Sequence, residues 1–318
     1  MARPLLRIGT RGSPLALAQA TELKTRLQAA HGEFAAPDAI EIKVIKTTGD
    51  KVRDRTLAAI GGKGLFTKEI EEALLAGSVD AAVHSAKDLP TWLPDGLAIA
   101  GYLPREDPRD AFFSPKAGGI AALATGAVVG TASPRRHAQL LFARRDLRVV
   151  PLRGNVETRL KKLAAGAIDA TLLAVAGVKR LGLMDRITAI IPPEEMLPAV
   201  AQGAIAVEIR QQDERARRYL AALNHAATAS AVTAERALLA ALDGSCRTPI
   251  AALAEIAADG GLRLRAMIIK PDGSDRRTTE RHGAAADAAA LGDDAGNELR
   301  ARAGSGYFDV TMPEEKPA

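Results

Sequence analysis

Apolar positions fall in short solid runs and in longer helical spacings, one after the other. LLRIGT, from Leu5, has the pattern of a short buried strand, and LALAQATELKTRLQAA, from Leu15, has apolar residues at helical spacing. Ser13 and Pro14 between them mark a helix start, a capping hydroxyl followed by proline at the first helical position. Residues 40–48, IEIKVIKTT, alternate as a strand, and GDKVRDRTLAAIGGKG is a polar loop broken by glycine. LFTKEIEEALLAGSVDAAV predicts a helix running into a strand. HSAKDLP leaves that strand, and Pro90 and Pro94 close the region.

The pattern then starts again, near Arg109. IGTRGSPLALAQA from Ile8 is matched by VGTASPRRHAQL from Val129, and EALLAGSVDAAV from Glu72 by KKLAAGAIDATLL from Lys161, which brings Asp80 and Asp169 into register. A duplicated α/β unit follows, although short matches in alanine-rich sequence arise easily. Strand, helix, strand in each copy favours mostly parallel or mixed sheets with helices on both faces. Two such lobes predict a cleft faced by strand ends and helix N-termini. AIAVEIR, after Gly203, is strand-like; whether it returns to the first lobe is not decided by pattern. From Asn224 come a helix, the loop GSCRTP, three strands joined by turns at Asp259–Gly261 and Pro271–Gly273, and a last helix, a small α/β domain with an antiparallel sheet.

With 318 residues, 47% of them apolar, the chain can bury substantial cores, and with 3% aromatics those cores must be aliphatic. The single cysteine excludes an intrachain disulfide and an all-cysteine metal cluster within one chain. The five histidines stand at 31, 84, 137, 225 and 282, no two at metal-ligand spacing, so no metal is expected, and His84 reads as structural. Arg7 and Arg11 interrupt the N-terminal apolar stretch, which reads poorly as a signal peptide, and no apolar run is long enough to span a membrane. A cytoplasmic monomer is the expectation. The net charge is +5, with 30 arginines against 13 lysines. That bias is explained either by a GC-rich coding background or by guanidinium forks that hold carboxylates or phosphates. Nucleic acid is disfavoured, because the basic residues form no single stripe and aromatic platforms are scarce.

The candidate chemistry lies in loops. Both Gly-Thr, Ser-Pro openings put hydroxyls and backbone N–H groups at a helix start, which is an anion cradle or an ordinary pair of N-caps. Arg11 beside Ser13, and Arg135 and Arg136 after Ser133, oppose the helix dipole, a conflict that an anionic partner would relieve. Arg153, Arg159, Lys179 and Arg180 extend the basic set or form a solvated rim. GGKGLF puts Lys63 in a glycine loop without phosphate-loop spacing, and reads as a mobile clamp anchored by Phe66. Ser85, Lys87 and Asp88 leave a buried strand together, as a site or as a surface pair. Cys246, beside Arg247 in a polar turn, has a cationic neighbour that favours thiolate; attachment, nucleophilic and inert roles all stay open.

RIGTRGSPLALAQ, IKTTGD, GGKGLFTKE, AVHSAKDLP, GTASPRRHAQL, LRGNVETRL, AGVKRLG, LPAVAQGA and GSCRTPI, in this order over nearly the whole chain, resemble the porphobilinogen deaminase family. Ala18, Ala86 and Ala201 stand where tryptophan, methionine and glycine are common in that family. The resemblance implies three domains: residues 1–103 plus 204–221, and 109–197, like the two lobes of type II periplasmic binding proteins, and 226–318 as the small domain. It implies a transferase of heme and tetrapyrrole biosynthesis that joins four porphobilinogen molecules head to tail with loss of ammonia. The chain grows on a dipyrromethane held by a thioether, here at Cys246, and water releases hydroxymethylbilane. By the same resemblance, Arg11, Arg153, Arg159 and Arg180 handle substrate carboxylates, with Arg11, Arg153 and Arg159 also near the chemistry. Ser13, Lys87, Thr131, Ser133, Arg135 and Arg136 hold the cofactor, Asp88 contacts pyrrole N–H groups and stabilises cations, and Lys63 and Phe66 belong to a cleft loop. Porphobilinogen and its growing chain are the implied partners, with no nucleic acid, membrane or protein partner. The rival readings are a bilobed binding protein for a small anion and a basic nucleic-acid-binding protein.

Overall fold

The computed structural model describes residues 4–48, 67–244 and 248–309. The chain divides into two compact units, Met1–Glu106 with Ala204–Ala229, and Asp107–Gly203 with Ser230–Ala318.

In the first unit β1 (Leu6–Thr10) leads into α1 (Pro14–Ala30), and β2 (Ile40–Val44), α2 (Lys68–Leu75), β3 (Ala81–Ser85) and β4 (Leu97–Tyr102) follow. Ser13 caps α1 by accepting from the Ala16 N–H at 3.3 Å, with Pro14 at the first helical position. β1 lies parallel to both β2 and β3. The strand predicted over 40–48 stops at Val44, because the chain there turns onto α2. The Thr48 N–H and hydroxyl both donate to Glu69 Oε1, at 2.8 and 2.5 Å. Leu6, Ile8, Leu23, Leu27, Phe34 and Val83 fill one face of the sheet, and Ile70, Leu74, Val79 and Leu97 fill the other.

In the second unit β5 (Asp110–Phe113), β6 (Val128–Gly130), α3 (Pro134–Ala143), β7 (Arg148–Val150), α4 (Val156–Ala164), β8 (Ala170–Ala174), α5 (Val175–Arg180) and β9 (Ala189–Ile191) follow in order. The sheet runs β7-β6-β8-β5-β9, with β6 parallel to β7 and β8, and β5 antiparallel to β8 and β9. Phe112 points to one apolar cluster, and Ala111 and Phe113 to another, so both faces of β5 are buried.

β10 (Ile205–Arg210) belongs to the first unit. It lies antiparallel between β3 and β4, completing the order β2-β1-β3-β10-β4, and α6 (Glu214–Ala221) follows it. Each five-stranded sheet thus has one antiparallel strand in its fourth place. In the first unit that strand arrives late in the chain; in the second it comes first.

The third sheet is an antiparallel meander of β11 (Ile250–Ile256), β12 (Gly261–Ile269) and β13 (Arg276–Ala284), with α7 (Ala226–Ala241) before it and α8 (Ala288–Ala303) after it. The turns fall where predicted. A Cβ on Gly292 of α8 would sit 2.1 Å from the Ala234 carbonyl oxygen of α7, so glycine lets the two helices touch backbone to backbone. No helix among the described residues is long and apolar enough to cross a membrane.

Candidate active site

β1 and β3 run side by side in the same direction, so the loops at their carboxyl ends emerge together, the usual place for a site in an α/β sheet. One loop carries half-buried Arg11 and the Ser13 cap. The other carries Ser85 and then the turn Ala86–Asp88, with Lys87 half-buried and Asp88 exposed. Gln19 of α1 joins them, its amide nitrogen donating to Ser85 Oγ at 2.9 Å. The Thr10 hydroxyl is turned inward and donates to the Ala16 carbonyl at 3.2 Å. Beneath the second loop, His84 Nε2 lies 3.0 Å from Glu208 Oε2 with both side chains buried, which agrees with a structural histidine. Burial, opposed by a bond from Thr67 and reinforced by the charge of Glu208, holds the nearby Glu71 carboxyl above its ordinary value.

The second unit repeats the geometry. β6, β7 and β8 are parallel, and from their carboxyl ends come Thr131 to Arg136, Pro151 to Arg159 and α5 with Arg180 at its last turn. Gly130 ends β6, where a Cβ would press to 2.8 Å from Ile168 Cδ1 and 3.0 Å from Leu152 Cβ. Buried Thr131 accepts from the Ser133 N–H at 3.2 Å, and Ser133 caps α3 through the Arg136 N–H at 3.4 Å.

Sequence reasoning sought an anionic partner for Arg135 and Arg136 and did not single out Asp110, the one inside the chain. Asp110 is fully buried. Its Oδ2 accepts from Arg135 Nη2 at 2.8 Å, and its Oδ1 from Arg136 Nη2 at 2.7 Å and Nε at 3.2 Å. Of the other fork nitrogens, Arg135 Nη1 donates to the Leu197 carbonyl and Arg136 Nη1 to that of Leu172, while the buried Arg135 Nε meets no acceptor among the described residues. Burial pushes the Asp110 pKa up, but the two guanidinium charges and the bonds from Arg136 and Gln202 outweigh it and hold the carboxyl far below its ordinary range. One carboxylate cannot answer two guanidiniums, so the pair keeps a net positive charge.

Arg159 adds to that charge. Its Nε donates to the Gly154 carbonyl at 2.8 Å, in a turn where Gly154 has φ +120°. Burial, then the charges of Arg136 and Arg153, pull its pKa down to about 10. Arg159 is therefore near enough to both Arg136 and Arg153 for their charges to act on it. Arg180 Nη2 donates to the Gly203 carbonyl at 3.2 Å. Lys63, Phe66 and Cys246 lie outside the described residues. No group of histidine, cysteine and acidic side chains suited to a metal occurs among the described residues.

Two family models divide the sequence between them. "Porphobilinogen deaminase, dipyromethane cofactor binding domain" matches residues 6–218, and "Porphobilinogen deaminase, C-terminal domain" matches residues 229–301. The chain belongs to the porphobilinogen deaminase family. Curated relatives agree over nearly the whole length. A porphobilinogen deaminase of Nitrobacter hamburgensis is 57% identical over 306 residues, 96% of each chain, and that of Paracoccus denitrificans 59% identical over 304 residues, again 96% of each. A chloroplastic porphobilinogen deaminase of Oryza sativa is 53% identical over 307 residues, 96% of this chain and 86% of the relative. Among solved structures, a periplasmic substrate-binding protein of an ABC transporter from Coxiella burnetii aligns over 73% of this chain and 96% of its own, with 18% identity and a TM-score of 0.42. As a member of the porphobilinogen deaminase family the chain is a transferase that polymerises porphobilinogen on a covalently attached dipyrromethane cofactor and yields hydroxymethylbilane.

Proposed function

We propose that both strand-end sites serve this reaction, the second unit supplying most of the positive charge for carboxylates and the first supplying Asp88 together with Arg11 and Lys87. The observation that carries the proposal is the position of Arg159, half-buried at a strand end with Arg136 and Arg153 near, where burial first and then those two charges depress its pKa to about 10. Like charges gathered at the ends of parallel strands are stabilised by an anion, and every porphobilinogen ring brings an acetate and a propionate. The donor set therefore fits a polycarboxylate cofactor as well as its substrate.

The dipyrromethane, when bound, supplies the nucleophilic pyrrole carbon on which the chain grows. Thr131, Ser133, Arg135 and Arg136 hold its side chains, with Ser13 and Lys87 assisting from the first unit. Arg153, Arg159, Arg180 and Arg11 bind and orient the carboxylates of incoming and added rings. Asp88, exposed at its strand end, accepts from pyrrole N–H groups and stabilises the cation that forms as porphobilinogen loses ammonia. Lys63 and Phe66 belong to the loop over the site. Attachment is assigned to Cys246, where neighbouring Arg247 favours the thiolate. Residues 1–103 with 204–221, 109–197 and 226–318 are the proposed domains of a cytoplasmic monomer.

Intact-mass measurement of the denatured protein tests the assignment. The polypeptide is expected to carry one tethered dipyrrole and to gain single-ring steps after limited substrate, and Cys246→Ser is expected to lose the adduct. An unmodified polypeptide in fully active enzyme removes the proposal.

A further inference from the structure

The segment Leu197–Gly203 is fixed from several sides, and Arg135, Asp110 and Glu235 are among the residues that its contacts reach. Gln139 of α3 both donates to the Leu197 carbonyl and accepts from the Leu197 N–H, at 3.0 and 2.9 Å, and Arg135 Nη1 reaches that carbonyl at 2.8 Å. The Pro198 carbonyl accepts from the Ala252 N–H of β11 at 3.1 Å. Ala201 has φ 58°, a left-handed conformation uncommon for a residue with a Cβ. It is held there by Glu235 of α7, whose Oε2 accepts from the Ala201 N–H at 2.5 Å while Oε1 accepts from the Ala254 N–H of β11 at 2.7 Å. Glu235 is fully buried. The next residue, Gln202, is also buried, and its amide nitrogen donates to Asp110 Oδ1 at 2.9 Å and to the Pro108 carbonyl at 2.7 Å. Asp110 in turn grips Arg135 and Arg136.

We infer that Glu235 is a positioning residue for the Arg135–Arg136 pair, acting through the Ala201–Gln202 peptide and Asp110. The inference rests on the proposed role of that pair in holding cofactor carboxylates. Its physical basis is the geometry of donors and acceptors. Two backbone N–H groups converge on Glu235, and only a carboxylate offers an acceptor to each; an amide would turn a donor toward one of them. With the Ala201 N–H unmet in a buried place, the left-handed turn loses its support and Gln202 is no longer held over Asp110. An arginine fork displaced by as little as an ångström then meets its carboxylates out of line. Glu235 lies on the helix that leads to the Cys246 loop, so the same side chain sets the attachment domain and the carboxylate-binding pair in one register.

The experiment compares Glu235→Gln, Glu235→Asp, Gln202→Met and Arg136→Gln in the full chain, measuring melting temperature, the fraction of folded chains that carry the dipyrrole by intact mass, and KM and kcat of the loaded fraction. Glu235→Gln and Gln202→Met are both expected to lower the loaded fraction and raise KM, by about tenfold in kcat/KM. Glu235→Asp, which keeps both oxygens, recovers part of the loss. A merely structural role lowers the melting temperature but leaves the loading and KM of the folded protein unchanged, and that result overturns the inference. So does a loss in Glu235→Gln that Gln202→Met does not share, since the effect then runs through α7 to the Cys246 loop. Where Glu235→Gln does not accumulate, the uncharged Gln202→Met decides by itself. Full loading and activity in Arg136→Gln would instead sink the reading of the arginine pair.

Discussion

Asp80 and Asp169 hold the same post in the two units. Each stands immediately before the third parallel strand of its sheet and accepts a hydrogen bond from a backbone N–H of the strand beside it, Arg7 at 2.9 Å and Val128 at 2.7 Å. They differ in the cation that joins them. Buried Asp80 takes the half-buried fork of Arg7 at 2.7 Å, with Arg210 and Arg215 near, whereas Asp169 takes the exposed Lys116 at 2.5 Å.

That difference gives unequal stability effects. Asp80→Asn leaves the half-buried Arg7 fork without its carboxylate and is expected to cost about 2 kcal/mol, and Asp169→Asn about 1 kcal/mol, both measured by urea unfolding. The sign of the pH dependence follows. Burial tends to raise the Asp80 pKa, but the Arg7 bonds and the charges of Arg7 and Arg215 hold it below the ordinary value. Its contribution is therefore present above the unfolded pKa of about 4 and is lost as pH falls through the folded value. Asp80→Asn should flatten the acid limb of the stability curve.

Asp88→Asn is expected to keep the dipyrrole adduct by intact mass while kcat falls by about 100-fold or more. The amide still fits the turn, but it brings no negative charge to a developing cation. Near-normal turnover in a steady-state assay would remove Asp88 from the mechanism.

Arg159 gives the opposite sign from Asp80. Its pKa is depressed to about 10, so its charged form is less favourable folded than unfolded. That burden is present at neutral pH and is relieved as pH rises through about 10. Arg159→Gln should therefore keep or slightly raise the melting temperature of ligand-free protein while kcat/KM drops. Added polycarboxylate should raise the melting temperature of the parent more than that of the variant. Equal shifts would show that no anion is held there.

Gly292→Ala puts a methyl 2.1 Å from a main-chain oxygen and must part α7 from α8. A loss of about 3 kcal/mol is expected. Gly118→Ala, with nothing within 4 Å, is the matched control and should be near neutral.

The local chemistry was legible in the sequence. Ser13–Pro14 and Ser133–Pro134 announce their helices because a cap and its proline act within one turn, and the turns at Asp259–Gly261 and Pro271–Gly273 are equally local. The duplicated pattern by itself aligns Asp80 with Asp169. What stayed hidden depends on partners far along the chain. An isolated acidic residue reads as surface whether or not it is buried, so nothing marked Asp110 as the mate of Arg135 and Arg136. Nor did anything mark Glu235 as the acceptor for Ala201. AIAVEIR was visibly a strand, but its place between β3 and β4 is set by pairing with residues more than a hundred positions earlier.

That late strand has a consequence during synthesis. β3 and β4 are complete by Tyr102, yet the ribbon that zips them together leaves the ribosome about 100 residues later, at about 5–20 residues per second. For roughly 5 to 20 seconds the nascent chain holds two strand flanks with unsatisfied amides, open to mispairing with any neighbour. The opening third of the polypeptide cannot mature cotranslationally by itself. It waits for a passage encoded on the far side of the intervening fold.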